Sequence, residues 1–273
     1  MKWGGLDPAY QPKEIKKIVR EAILLSGGGV AVLLQMAHPS VAAGVNNHSN
    51  FAYRPVDRLR TTMTYVYCMT FGTPAEKEAI INLVHKAHTV VKGKDGGRDY
   101  SADDPDLQLW VAATLYATAI NLYTKIFGSL PEKEHDKIYT QYAILATSLR
   151  VPQKLWPANR AAFWRYWDEQ IAKAEINDHA RAVAQDVLWN KVAPLWVRAP
   201  LPLLRVFTTY MLPPTLREEF GFKDTKSRRA FYNLMVGTLK VTYPLTPKFI
   251  RTYPKKYYMN DMRKRLTKMG HVI

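Results

Sequence analysis

The chain has 273 residues, of which 47% are hydrophobic and 23% charged, and these values are typical of globular proteins. A chain of this length holds one large domain or two small ones, and its composition indicates no disorder except at the two ends. The net charge of +16 suggests nucleic acid or an anionic membrane as a partner. Because zinc-finger spacing and RNA-recognition motifs are lacking, nucleic-acid binding is not expected.

Helical periodicity runs along nearly the whole chain, with glycine and proline at helix-length intervals. Internal repeats and low-complexity linkers are lacking, so the sequence predicts a single all-α domain over 1–273. In chain order, the predicted helices cover 13–26, 28–45, 57–71, 75–92, 105–128, 132–148, 159–172, 179–192, 200–211, 225–241 and 257–269.

The break between the third and fourth predicted helices carries the clearest local signals. Gly72 is expected to end the earlier helix in a left-handed conformation. Thr73 and Glu76 have the spacing of a capping box, and Pro74 occupies the first helical position. These residues therefore predict a sharply defined start for the helix over 75–92.

Cys68 is the single cysteine, which excludes an internal disulfide and a cysteine-rich zinc site. Its apolar neighbours favour a buried, unreactive thiol. The residues before Glu14 have no apolar core of signal-peptide type, and no stretch reaches the roughly 18 apolar residues that span a bilayer. A cytoplasmic location is therefore expected, with peripheral membrane contact as an alternative.

Two histidines lie on the helix predicted over 75–92. At about 100° per residue, His88 falls about 70° from the centre of the apolar stripe and His85 about 130° from it. His88 is therefore expected to be half-buried and His85 to reach solvent. A half-buried His88 is either a core histidine bonded to a backbone carbonyl or a ligand of haem or a metal.

Arg60 and Thr64 lie four residues apart on the preceding predicted helix, on one face with Tyr67 and Phe71. An arginine on such an apolar helix needs an acceptor when it is buried. The residues favour a structural salt bridge, for example with Asp104. A haem propionate or a bound oxygen species is the functional alternative.

Other metal and nucleotide sites lack their sequence signatures. Glu132 and His135 form one Glu-x-x-His repeat, whereas a di-iron site needs two. The zinc motif His-Glu-x-x-His and the nucleophile elbow Gly-x-Ser-x-Gly are both missing. Gly27, Gly28 and Gly29 do not form a phosphate loop, and they are expected to break a helix or to let two helices approach closely.

The C-terminal helix, within 248–269, is strongly basic. Residues 248–268 contain eight Lys or Arg residues and a single acidic residue, Asp261. This composition fits a peripheral contact with anionic lipid, and it fits equally a solvated helix that covers the core. The Leu- and Pro-rich segment 194–216 is either the roof of an apolar cavity or ordinary core with snorkelling arginines.

Several sequence blocks follow one another in an order typical of one protein family. They include Leu34-Gln35-Met36-Ala37-His38-Pro39, Arg58-Leu59-Arg60-Thr61-Thr62, Phe71-Gly72-Thr73-Pro74, Tyr100-Ser101-Ala102-Asp103-Asp104-Pro105 and Trp156-Pro157-Ala158. Over roughly 15–240, the chain resembles the family that contains latex-clearing protein (rubber oxygenase) and the fungal mycophenolate-pathway oxygenase.

The resemblance implies a globin-like helical core that carries haem b. His88 matches the proximal iron ligand of the family. Arg60 and Thr64 match its arginine and threonine on the helix that faces the other side of the haem. Met63 departs from the lysine that the latex-clearing enzyme can place on the iron, so its thioether either packs or approaches the iron. Ala112 replaces a histidine found in many relatives.

The function implied by the resemblance is a haem-b-dependent oxygenase. It would use molecular oxygen on a hydrophobic small molecule, an isoprenoid or a secondary metabolite, with oxidative cleavage of a C=C bond as the family chemistry. In this scheme His88 holds the iron, and Arg60 and Thr64 orient or polarise the bound oxygen. The alternative is a non-catalytic helical protein that binds haem or an apolar ligand at a membrane surface.

Overall fold

A computed structural model describes residues 9–49 and 55–270. Its α-helices are α1 Lys16–Val19, α2 Gly28–Met36, α3 Pro39–His48, α4 Pro55–Phe71, α5 Pro74–His88, α6 Pro105–Phe127, α7 Glu132–Tyr142, α8 Ile144–Thr147, α9 Arg160–Ala172, α10 Asp178–Leu188, α11 Leu195–Arg198, α12 Leu201–Met211, α13 Pro214–Glu219, α14 Lys226–Leu245, α15 Lys248–Arg251 and α16 Tyr253–Lys268. Two 3-10 helices cover Ala22–Gly27 and Gln153–Leu155, and an antiparallel hairpin pairs β1 Lys92–Asp95 with β2 Arg98–Ser101.

The predicted all-α class is confirmed, whereas the globin-like core and the single domain stay predictions.

Helix α6 lies at the centre of the core. Asp104 caps its start by accepting hydrogen bonds from the backbone N–H groups of Asp106 and Leu107. Tyr116, near its middle, is fully buried and packs edge-on against Tyr139 and Phe163, with ring centroids 5.2 and 4.8 Å apart. The cluster of buried side chains around α6 extends along the chain from residue 15 to residue 266.

The helix predicted over 28–45 is two helices, because a residue that precedes proline disfavours helical backbone. His38 is extended, with φ −98° and ψ 118°, and Pro39 starts α3. The segments Ala22–Met36 and Pro39–His48 meet at 113°. Within the described parts of the chain, no single helix is long and apolar enough to cross a membrane, and this bent pair meets the test only as two segments together.

The predicted helix over 75–92 ends earlier, at His88, and a hairpin follows it. Gly96 and Gly97 form the turn with φ of +54° and +80°, which glycine adopts without strain. The backbone N–H of Ala102 donates to the carbonyl of Val91 at 2.8 Å. The chain after the hairpin therefore returns alongside the end of α5.

The break between α4 and α5 has the predicted capping box but not the predicted glycine conformation. The Thr73 N–H donates to Glu76 Oε2 at 2.8 Å, and the Glu76 N–H donates to Thr73 Oγ1 at 3.2 Å. The left-handed backbone expected at Gly72 is wrong, since its φ is not positive. Glycine is needed there because a Cβ would lie 2.6 Å from the carbonyl oxygen of Cys68. Cys68 is buried as expected, and burial raises the pKa of its thiol to about 12.

The C-terminal helices fold back over the N-terminal half of the chain. Helix α14 continues past the predicted end at 241, and α16 begins at Tyr253 rather than at 257. Helix α16 packs against α4, and Arg263 Nε donates to Glu76 Oε1 at 2.6 Å. The buried pair of Arg251 and Glu21, 3.2 Å apart, ties α15 to the 3-10 helix after α1. The interpretation of this tail as a cover for the core is therefore confirmed for α16.

Candidate functional site

His88 is the last residue of α5, and His85 lies one turn before it. His88 is half-buried, as predicted from the projection. His85 is also buried, with 5% of its surface exposed, so the expectation that it reaches solvent is wrong. A projection of the isolated helix does not include the charges of Arg150 and Asp103, which act on His85 from other parts of the chain.

The surroundings of His88 favour a neutral imidazole. Burial lowers the pKa of His88 below its ordinary value, and the positive charges of His85 and Arg58 lower it further. Asp103 acts in the opposite direction but does not outweigh them. At neutral pH the ring therefore has one nitrogen with a free lone pair.

A buried ring atom of His88 also lacks a partner. Its Nδ1 is shielded from solvent, and none of the described residues forms a hydrogen bond with it. A buried polar atom without a partner costs free energy unless a ligand or a water satisfies the ring. A neutral, half-buried histidine on a rigid helix is what an axial haem ligand requires, so His88 fits a haem iron.

Arg60 and Thr64 lie on the face of α4 that packs against α16. Arg60 makes a two-pronged ion pair with Asp261, in which Arg60 Nε lies 2.8 Å from Asp261 Oδ2. Thr64 is buried, and its Oγ1 accepts a hydrogen bond from Arg265 Nη2 at 2.9 Å. The salt bridge favoured by the residue pattern is present, but its acidic partner is Asp261 and not Asp104. The catalytic and cofactor-binding roles of Arg60 and Thr64 stay predictions.

Met63 is half-buried and packs against the main hydrophobic cluster. This packing is one of the two interpretations that the sequence left open. The second interpretation, an approach of the thioether to the iron, stays a prediction. Ala112 is buried in the same cluster, where it contributes to the packing of α6.

Arg58 is a candidate that the sequence reasoning missed. Its charge lowers the pKa of His88, which places the guanidinium near the imidazole. Burial lowers the pKa of Arg58 itself, although part of the side chain is exposed to solvent. Arg58 and Thr62 repeat the four-residue spacing of Arg60 and Thr64, so the signal was present in the sequence.

Helix geometry separates the two arginine–threonine pairs. Residues two positions apart on an α-helix point about 200° away from each other, so only one of the pairs can face α16. Arg60 and Thr64 take that face. Arg58 and Thr62 lie on the side of α4 that retains solvent exposure.

A polar recess of about 220 Å³ lies between the hairpin, α3 and the start of α10. Asp95, Arg98 and Glu175 contribute to its lining. His179, beside it, lies 3.1 Å from Asp95 and 2.9 Å from Asn46. In the described ranges, no group of three or more His, Cys, Asp or Glu side chains is placed to hold a metal ion.

The fold and the site together define the class: a helical protein that presents a neutral, half-buried histidine at a helix end. Comparison with known proteins then identifies the family. A sequence profile described as "ER-bound oxygenase mpaB/B′/Rubber oxygenase, catalytic domain" matches residues 15–241. The chain belongs to this family of oxygenases, as the sequence blocks predicted.

Two curated relatives extend the comparison. Uncharacterized proteins of Mycobacterium bovis and Mycobacterium tuberculosis are each 30% identical to the chain over 238 residues. The match covers 85% of this chain and 93% of each relative. No solved structure matches the chain significantly.

Proposed function

We propose that the chain is a haem-b-dependent oxygenase that acts with molecular oxygen on a hydrophobic isoprenoid or secondary metabolite. Membership of an oxygenase family implies a small-molecule substrate and oxygen. The observation that supports haem in particular is His88, a neutral, half-buried imidazole whose Nδ1 has no partner among the described residues. A cytoplasmic location also stays a prediction.

In this proposal His88 holds the haem iron through a ring nitrogen. When bound, haem supplies the redox chemistry that activates oxygen for cleavage of a C=C bond. The burial of His88 keeps the ring unprotonated near pH 7, so proton loss does not oppose binding of the iron.

Arg58 and Arg60 are the two arginines that could contact a haem propionate or the bound oxygen. Arg58 acts electrostatically on His88 and suits a haem propionate or another anion beside it. Arg60 and Thr64 suit the oxygen-facing roles that the family resemblance implies, but both are engaged by α16. Their participation in catalysis would require Asp261 and Arg265 to release them.

The first experiment is a spectrum and a haem assay of the purified chain. We expect a Soret band and about one haem per chain by pyridine haemochrome, together with oxygen uptake when a polyisoprenoid or a terpenoid is added. Haem binding without oxygen uptake on any such substrate would support the non-catalytic alternative instead. A colourless protein that takes up no added haem would overturn the proposal.

A pair of matched variants separates the two arginines. If Arg58 serves the site, Arg58→Ala lowers haem affinity or turnover. Arg60→Ala leaves Asp261 without its bidentate partner and acts mainly on stability. The opposite result, in which Arg60→Ala removes activity from a protein of unchanged stability, would assign the catalytic role to Arg60.

A further inference from the structure

Helix α14 has two apolar faces, and only one of them is covered. Its inner face packs against α6 and α12 through residues that include Tyr232 and Val236. Its outer face carries Leu234, Val241 and Leu245, whose exposed fractions are 67%, 66% and 80%. A soluble surface helix ordinarily presents polar residues on the face opposite to the core.

The exposed face continues into the next turn of the chain. Phe249 and Ile250 on α15 are 75% and 51% exposed. The tyrosines Tyr253 and Tyr257 follow, with 61% and 53% exposure and ring centroids 6.4 Å apart. The α14–α15 surface is defined by Phe231, Leu234, Val241, Leu245, Phe249 and Ile250.

The charged residues of α14, α15 and the start of α16 are all basic. Residues 225–260 contain eight Lys or Arg residues and no Asp or Glu. Arg229 is paired with Asp224, and Arg251 with the buried Glu21. Five others remain on exposed positions around the apolar residues. They are Lys226, Arg228, Lys240, Lys248 and Lys256.

We propose that the α14–α15 surface docks onto an anionic lipid bilayer. Exposed Leu, Val and Phe side chains enter the boundary of the acyl chains, and the surrounding lysines contact lipid phosphates. Tyrosine is favoured at the headgroup level, where Tyr253 and Tyr257 border the surface. A second copy of the chain fits less well, because two like surfaces would bring their basic side chains together.

The docking surface is remote from His88. Helix α14 crosses the C-terminal end of α6, where Tyr243 packs against Phe127 and Lys125 lies over Tyr232. His88 lies near Asp103, just before the start of α6. Because α6 has 23 residues, its two ends are roughly 34 Å apart. Docking through the α14–α15 surface therefore leaves His88 accessible, and the proposal does not depend on haem.

The test is flotation of the full chain with vesicles. We expect binding to phosphatidylcholine vesicles that contain phosphatidylglycerol, weak binding to pure phosphatidylcholine, and release by raised salt. Lys240→Gln, Lys248→Gln and Lys256→Gln together should lower the partition coefficient on the order of a hundredfold, since each basic residue contributes about fivefold. Leu234→Ser with Leu245→Ser should also reduce binding.

Control variants remove comparable apolar or charged side chains outside the α14–α15 surface. Val90→Ser removes a side chain whose 67% exposure equals that of Leu234 and which lies at the His88 end of the molecule. Lys133→Gln with Lys137→Gln removes two exposed charges on α7. The controls should bind as the parent does. Equal binding of parent and surface variants, equal binding to neutral vesicles, or a dimer in light scattering that Leu245→Ser dissociates would each overturn the proposal.

Discussion

Two adjacent glycines at the start of α2 should respond to alanine with opposite signs. A Cβ at Gly29 would lie 2.6 Å from Thr208 Oγ1 and 3.5 Å from Leu188 Cδ2. Thr208 is fully buried on α12, so it has little room to move. At Gly28 the nearest described atom to a Cβ would be Leu59 Cδ1, at 4.0 Å, which is ordinary contact. Of Gly28 and Gly29, only Gly29 is therefore needed for the close approach of helices that the sequence suggested.

The expected magnitudes follow from two opposing effects. Alanine in place of a helical glycine gains about 0.4–1 kcal/mol, chiefly by reducing the freedom of the unfolded chain. Extra volume in a packed core costs about 1–3 kcal/mol. Gly28→Ala should therefore raise the free energy of unfolding by about 0.5 kcal/mol. Gly29→Ala should lower it by about 1 kcal/mol.

Urea unfolding followed by far-UV circular dichroism measures both changes. Thr208→Ala removes the atom that the new Cβ would approach, so Gly29→Ala should cost less in that background. The non-additivity of this double-mutant cycle isolates the contact. If both glycine variants shift the unfolding midpoint in the same direction, or if the cycle is additive, the packing described for α2 and α12 is refuted.

Two further predictions concern α5 and pH. Thr73→Ala removes the side-chain half of the capping box, so the free energy of unfolding should fall by about 1 kcal/mol, whereas the exposed Thr61→Ala should change it little. Equal unfolding midpoints for the two variants would contradict the role of the cap. Burial lowers the pKa of four histidines, so stability should be complete above about pH 6.5 and fall as the pH drops toward their folded pKa values. The four are His38, His85, His88 and His135. Urea midpoints that do not change between pH 7.5 and 5.5 would contradict this.

Local signals predicted the parts of the fold that depend on neighbours in the chain. The capping box at Thr73 and Glu76 formed as expected because both partners lie within one turn. The break at Pro39 and the turn at Gly96 and Gly97 also have local sequence signals, namely the proline and the two adjacent glycines. The prediction missed both, because the flanking residues follow a helical period. A short hairpin offers too few residues for its own period to stand out.

The environment of the candidate site residues could not be predicted from single helices, because it depends on contacts with other parts of the fold. A projection of α5 placed His88 correctly but predicted an exposed His85, because the projection contains only α5 and His85 is buried by other parts of the fold. The same limit applies to α4. Either Arg58 or Arg60 fits the arginine–threonine spacing, and the choice depends on α16, which lies about 200 residues later and covers Arg60.

Binding of haem iron by His88 underlies the proposed function, and His88→Gly with added imidazole tests this binding. We expect the parent to show a Soret band with about one haem per chain, His88→Gly to lose the band, and imidazole to restore it by filling the vacated position. Restoration also shows that the variant is folded. A His88→Gly protein with an unchanged Soret band, or a parent that takes up no haem, would show that His88 is not the iron ligand.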